Sequence, residues 1–285
     1  MPSRGTPWTF YCGGCDYWAS TLEPVSALVE QGAFPNDGET GDGNPIGYLD
    51  DVRVANFDRI VAEIGRASRT RPLRLLEVGC GPGLFLERAR RAGIEAQGIE
   101  VYEEIARPGI ARGLPIRIGM FPDCVADHER FDAIAFNDVF EHLPNPGAVL
   151  DVCRRILAPD GLVVLNLPNS HGLFFKVARR ALGCGVLGPW DRMWQKGFFT
   201  PHLHYFSAGS LERLCRRHGF APAIAPLHLR STSLRGLWRR IRVSDAFGIP
   251  AAATYYGGAV ACHFLSGMFE SDCILTIMRK TAPPA

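Results

Sequence analysis

The densest run of chemistry-bearing residues is Glu77-Val78-Gly79-Cys80-Gly81-Pro82-Gly83, a carboxylate followed by glycines at alternate positions. Glycines spaced this way let a strand turn sharply into a helix and let a ligand lie against the backbone. A dinucleotide fingerprint places its third glycine three positions after the second, where this chain has Leu84. A carboxylate at the turn would repel a diphosphate and attract a sulfonium or an ammonium. The turn therefore reads as a site for a cationic ligand, which argues against a nicotinamide-dependent oxidoreductase. Glu100 closes the next apolar segment, about where an acid accepts hydrogen bonds from ribose hydroxyls.

A second constellation is Asp138-Val139-Phe140-Glu141-His142, followed much later by Pro201-His202-Leu203-His204-Tyr205. Two acids and an imidazole this close can bind a divalent cation if a further ligand arrives from elsewhere. The same residues also read as a metal-free polar site, with Glu141-His142 capping a helix and a histidine serving as general base. His142, His202 and His204 are the candidate catalytic groups, and the metal-free reading is preferred. Cys12-Gly13-Gly14-Cys15 supplies two of the four ligands that a structural zinc site needs, with no second pair nearby. The pair is therefore read as zinc-free, either a remnant or redox-sensitive.

These residues need elements to position them. A helical pattern runs from about Tyr48 to Ile64. Short apolar strands are expected at Leu73–Val78, Ala96–Glu100, Pro115–Gly119, Phe131–Phe136 and Leu162–Leu167. A helix from Leu84 to Ala92 ends at Gly93, and Val149, Val152, Cys153 and Ile156 mark one face of another. Pro108 is expected to interrupt the helix after Glu100. Ser207 caps a further helix that Gly219 stops, and Asp272–Met278 supplies a last strand. Alternating strands and helices imply an α/β fold, a Rossmann-like doubly wound and mostly parallel sheet with an antiparallel last strand and a cap region. The expected organisation is an N-terminal Cys-x-x-Cys segment over residues 1–45 and one domain over 46–285. Residues 168–206 and 228–270 are read as cap or lid insertions within it, with Trp190, Trp194, Phe198 and Phe199 covering an acceptor.

From Tyr48 to Phe220 the chain resembles the class I S-adenosylmethionine-dependent methyltransferases, at the glycine turn, at Glu100 and at Asn137-Asp138-Val139-Phe140-Glu141-His142-Leu143. The resemblance implies that Glu77, Gly79, Gly81 and Gly83 surround the methionine part of S-adenosylmethionine. It places Glu100 on the ribose, Met120 and Phe121 beside the adenine, and Asn137 and Asp138 near the sulfonium. The acid and Glu-His arrangement is similar to that of ubiquinone-pathway O-methyltransferases and small-RNA 2′-O-methyltransferases. In those groups the matching residues hold a metal, which here would be Asp138, Glu141, His142 and His202. Phe10 to Cys15 resembles the second half of an N-terminal zinc ribbon of some bacterial methyltransferases.

The implied function is methyl transfer to a small-molecule, sugar or lipid-linked acceptor. A non-catalytic S-adenosylmethionine-binding module in a biosynthetic assembly is the alternative. Across 285 residues, 21% are charged and the formal net charge is +2, so no electrostatic footprint for nucleic acid is expected. Nine cysteines, an odd set, and no apolar leader read as a reduced, cytoplasmic protein. The basic amphipathic run at Leu237–Arg242 and the charge-free stretch up to Phe269 add an expectation of membrane-surface contact through 237–269.

Overall fold

A computed structural model describes residues 2–3, 6–24, 50–225, 227–229 and 270–282. Its core is an eight-stranded sheet of β4 (Arg74–Val78), β5 (Glu95–Glu100), β6 (Ile116–Ile118), β7 (Phe131–Asn137), β8 (Leu157–Pro168), β10 (Phe220–Pro222), β11 (Leu227–Leu229) and β12 (Cys273–Lys280). The order is β10-β12-β8-β7-β4-β5-β6, with β11 also on β12. Pairings from β6 across to β8 are parallel, and β12 runs antiparallel to β8, as expected. Strands in the middle of the sheet carry near-continuous apolar runs because both faces are covered. On one face, α1 (Asp50–Ala67) and α2 (Leu84–Arg91) bury Phe57, Ile60, Ile64, Phe85 and Leu86. On the other, α4 (Pro146–Ile156) and α7 (Ala208–Arg217) bury Leu150, Cys153, Ile156, Leu211 and Cys215.

The chain leaves β4 toward β5 on one side and returns as β7 on the other. The carboxyl ends of β4 and β7 therefore flank the switch point, where open α/β sheets leave a crevice. Register places Val78 beside Phe136 and Asn137 beside Asn166, which sets the glycine turn next to the acid and Glu-His run.

Two local expectations change. The helix after Glu100, α3 (Glu103–Ala111), continues through Pro108, which is exposed, so the ring meets solvent rather than packed neighbours. β8 begins at Leu157, before the expected Pro159-Asp160-Gly161 break. Asp160 takes up the turn with φ +60°, and pairing with β7 shifts there. Ser207 caps α7 with a reciprocal box through Ser210, and Gly219 ends it at φ +76°.

The described part of the N-terminal segment pairs with the cap. β2 (Thr6–Cys12) and β3 (Tyr17–Ser20) form a hairpin, and β3 pairs with β9 (His204–Phe206) in a small antiparallel sheet with β1 (Pro2–Ser3). Trp18 packs with Phe175, Ala178 and Leu182 of α5 (Leu173–Gly183), with Trp190 of α6 (Gly188–Met193), and with Trp194 and Tyr205. Trp190 and Trp194 are fully buried in this aromatic core. They hold the cap together and do not line an acceptor cavity, because each indole is enclosed by other rings.

No helix among the described residues is long and apolar enough to cross a membrane. The 237–269 stretch expected to touch a membrane lies outside the described residues.

Candidate active site

The turn after β4 holds Gly79, Gly81 and Gly83 in the left-handed region, at φ +68°, +53° and +85°. A Cβ on Gly79 would lie 2.5 Å from Val139 Cγ2, and one on Gly83 2.4 Å from Leu114 Cδ1. Those two glycines answer to the protein's own packing. Over Gly81 the nearest such atom would be Ile105 Cγ2 at 4.0 Å, which leaves the backbone open to a ligand. Gly79→Ala combines left-handed strain with a clash against the stiff, branched Val139. It is expected to cost about 2–5 kcal/mol, read as a lower denaturant midpoint with unchanged slope.

Glu100 sits at the end of β5, where its Oε2 accepts from the Gly81 N–H at 2.9 Å. Its Oε1 accepts from the Val101 and Tyr102 N–H groups at 2.9 and 3.2 Å. These bonds fix the carboxylate against the glycine turn and leave acceptor capacity on Oε2. Burial raises its pKa, and the three backbone donors work against that rise. Glu77 is deeper, 2% exposed, and its Oε1 accepts from Asn137 Nδ2 at 2.9 Å. Its Oε2 has no partner, and burial pushes the carboxyl up to about 8. A buried acid held by one amide and open on its other oxygen is suited to a cationic ligand that would ionise it.

At the adenine position, Met120 is half-buried just beyond β6, beside Gly119, whose N–H donates to the Glu100 carbonyl at 3.0 Å. Phe121 departs from expectation. It is 7% exposed and packs edge-on against Phe136 at 5.9 Å, so the apolar core claims its ring.

Past β7 the chain makes a short 3-10 turn, Phe140–His142. Glu141 is 1% exposed, and neither carboxylate oxygen has a hydrogen-bond partner. Burial and the neighbouring Asp138 raise its pKa well above the usual range. His142 Nδ1 donates to the Pro201 carbonyl at 2.8 Å, which fixes the tautomer and leaves Nε2 unprotonated, 3.9 Å from Glu141 Oε1. Burial also lowers the His142 pKa, so the ring stays neutral near pH 7.

His202 lies against His142, ring centroids 4.8 Å apart, but its nitrogens are committed. The Tyr205 hydroxyl donates its one proton to the Met193 carbonyl at 2.7 Å, so His202 Nδ1 must donate to Tyr205 Oη at 2.9 Å. His202 Nε2 then accepts from Gln195 Nε2 at 2.9 Å. His204 is likewise engaged. Its Nε2 donates to the Leu143 carbonyl at 2.9 Å, and its Nδ1 accepts from the Tyr17 hydroxyl. Burial drops its pKa to about 4, while burial of Tyr17 raises that phenol to about 12. His204 therefore ties the cap to the segment after the 3-10 turn, and the one ring nitrogen that could act as a base already accepts from Tyr17.

Of the four expected metal ligands, Glu141, His142 and His202 offer atoms within 4.8 Å of one another. Asp138 is not in that group. Its backbone is left-handed at φ +54° and the residue is exposed, although desolvation raises the pKa of its carboxyl. The unpartnered Glu141 carboxylate and the free His142 Nε2 fit a cation, whereas His202 fits one only if Gln195 withdraws.

Several site residues escaped the sequence reading. Tyr102 is buried with an unpartnered hydroxyl, and its ring meets Phe199 at 5.0 Å, which joins the cap to the loop after Glu100. Pro201, Gln195 and Tyr205 set the tautomers of His142 and His202. A tyrosine three residues after His202 was the one available signal; the Pro201 carbonyl had none.

Comparison with known proteins gives the same region a context. Residues 50–223 match a family profile described as a methyltransferase domain. The ubiquinone biosynthesis O-methyltransferase of Xylella fastidiosa (strain M23) is 31% identical over 145 residues, 48% of this chain and 56% of the relative. This chain thus matches little more than half the length of that enzyme. The protein of the same description from Mesorhizobium japonicum is 30% identical over 181 residues, 60% of this chain and 68% of the relative. Among solved structures, Burkholderia thailandensis 1,6-didemethyltoxoflavin-N1-methyltransferase, with bound 1,6-didemethyltoxoflavin and S-adenosylhomocysteine, is 16% identical. Its TM-score is 0.55, and the match covers 96% of this chain and all of the other. Haemonchus contortus phosphoethanolamine N-methyltransferase 2 is 13% identical at a TM-score of 0.53, covering 92% of this chain and 61% of the other. At such identities the likeness is one of fold.

Proposed function

The chain belongs to the class I S-adenosylmethionine-dependent methyltransferase family, and from that membership we propose that it methylates an oxygen on a small hydroxylated or lipid-linked acceptor. One observation carries the reading. A buried acid open on one oxygen, Glu77, lies at the end of β4, and an imidazole with a free Nε2, His142, lies in the turn that follows the paired strand β7. The name of the relatives, O-methyltransferases of ubiquinone biosynthesis, supports oxygen as the acceptor atom.

S-adenosylmethionine, when bound, supplies an electrophilic methyl group on a sulfonium. Glu77, Gly81 and Glu100 would hold it, with Met120 at its adenine end and Asn137 and Asp138 at the sulfonium. Each protein group then has a task that follows from its surroundings. Glu100 is preset by its three backbone donors, so little ordering is left to do on binding. His142 takes the acceptor hydroxyl proton on Nε2, and the Pro201 carbonyl stabilises the charge that its Nδ1–H then carries. Phe199 over Tyr102 closes the cap side against water.

A second reading adds a divalent metal, and the unpartnered Glu141 carboxylate favours it. Glu141, His142 and His202 would hold the ion, which would lower the pKa of the acceptor hydroxyl.

Incubation with methyl-labelled S-adenosylmethionine and host extract, followed by mass spectrometry of labelled products, tests both readings. A labelled hydroxylated product supports methyl transfer. A chelator that abolishes labelling selects the metal reading, and unchanged labelling selects His142 acting alone. Tight cofactor binding with no labelled product would point instead to a non-catalytic binding module. Absence of cofactor binding by calorimetry would end the proposal.

A further inference from the structure

The tip of the N-terminal hairpin has no part in the crevice chemistry. Cys12 ends β2, and Cys15 lies in the four-residue turn that leads to β3, with Cys12 paired to Tyr17 across the hairpin. Both thiols are exposed. Their environments are unequal. The Cys15 side chain first, then the Cys15 and Gly14 backbone, act on the Cys12 sulfur across this short turn. Those neighbours lower the Cys12 pKa, and the Cys12 side chain raises that of Cys15. Arg213 donates to the Cys15 carbonyl, and the positive charges of Arg213 and Arg217 act on the Cys15 sulfur. A basic neighbourhood favours thiolate and opposes a divalent cation.

We propose that Cys12 and Cys15 are a reactive dithiol that exchanges with low-molecular-weight disulfides, Cys12 attacking and Cys15 resolving. The Cys12 thiolate attacks one sulfur of the disulfide, forming a mixed disulfide as the first small thiolate leaves. Cys15 gives up its proton to that leaving thiolate and attacks the Cys12 sulfur, expelling the second small thiol. The protein loses two electrons and two protons, and the small disulfide becomes two thiols. The two glycines between the cysteines keep the turn free of side chains: nothing lies within 4 Å of a Cβ built on Gly14, and one on Gly13 meets only Tyr11 at 3.7 Å.

The same turn is tied to the body of the protein. Asp16 accepts from the Tyr11 hydroxyl at 3.2 Å and pairs with His171 at 2.8 Å, and its carbonyl accepts from Ser207 Oγ. These bonds tether the tip to the N-terminus of α7 and to the loop after β8.

The test uses the reduced full-length chain, oxidised glutathione as the probe, and mass spectrometry of alkylated peptides. Wild type is expected to lose both thiols together and retain no glutathione. C15S is expected to retain glutathione on Cys12, and C12S to react at Cys15 at a rate no greater than that of exposed Cys184. Cys12 in C15S should react about tenfold faster than Cys184. Equal reactivity at Cys12 and Cys184, a mixed disulfide that persists in wild type, or zinc bound tightly by unreactive thiols would each overturn the proposal. None of these readouts depends on methyl transfer.

Discussion

His142→Ala is expected to lower kcat by about 10²- to 10⁴-fold while leaving the Kd for S-adenosylmethionine within about twofold of wild type. The split follows from where the ring stands. Its Nδ1 is held by the Pro201 carbonyl, its Nε2 is free, and it makes no bond to the glycine turn or to Glu100. The proton-accepting form is neutral imidazole, and burial lowers the His142 pKa below the ordinary 6.5. Activity should therefore hold through neutral pH and fall only as the medium becomes acid enough to protonate the ring, below pH 6.5. The profile of kcat against pH at saturating S-adenosylmethionine, where the ionisation of Glu77 on binding is already complete, checks this. His142→Ala with wild-type kcat, or a rate that declines on the acid side above pH 7, would remove His142 as the base. His202→Ala provides the contrast. With both of its nitrogens bonded to Gln195 and Tyr205, its loss should act through the cap and raise KM, or lower stability, more than it lowers kcat.

The second large effect concerns Glu77. Its carboxyl is pushed up to about 8 by burial, so at pH 7 the free protein carries it mostly protonated. A cationic ligand favours the ionised form, and binding must release that proton. Affinity for S-adenosylmethionine should therefore strengthen as pH rises from about 6 to 8 and level off above. Removing the acid with Glu77→Gln should weaken binding by about 10- to 100-fold, the worth of a charged hydrogen bond, and flatten the pH dependence. Calorimetry in buffers of different ionisation enthalpy would count the released proton directly. A Glu77→Gln variant that binds with wild-type affinity and the same pH slope would show that the acid does not face the cation.

Stability carries the opposite sign. In the unfolded chain Glu77 ionises above about 4.5, while in the folded chain it stays neutral until about 8. Its contribution to stability is thus fully present below pH 4.5 and lost progressively as pH rises through 8. Glu77→Gln should lose least stability, or gain some, at the alkaline end of that window. A residue that stabilises the ligand at the expense of the empty protein is what a binding role requires, and a structural role would not show it.

The cap bears on the same question. Because β3 pairs with β9, and Ser20 Oγ donates to the His202 carbonyl at 2.9 Å, the N-terminal hairpin braces the segment that carries Pro201 and thus the tautomer of His142. The hairpin acts on the site through the backbone of 201–206.

Local information was enough for the sheet and the turn. Apolar runs closed by glycines and an acid at a strand end are properties of neighbouring residues, so β4, α2, β5 and β7, and the sharp turn at Gly79, Gly81 and Gly83, could be read along the chain. The antiparallel last strand, β12, was legible for the same reason. Distance along the chain hid the rest. Whether His142, His202 or His204 keeps a free lone pair depends on Pro201, Gln195, Tyr205, Leu143 and Tyr17, most of them far apart in sequence. Trp190 and Trp194 looked like a lid over a ligand and proved to be the inside of a second core, because an aromatic run does not reveal what covers it. Hydrogen-bond commitments and burial are set by contacts across the fold. Composition and spacing could propose which side chains do chemistry, and only packing could select among them.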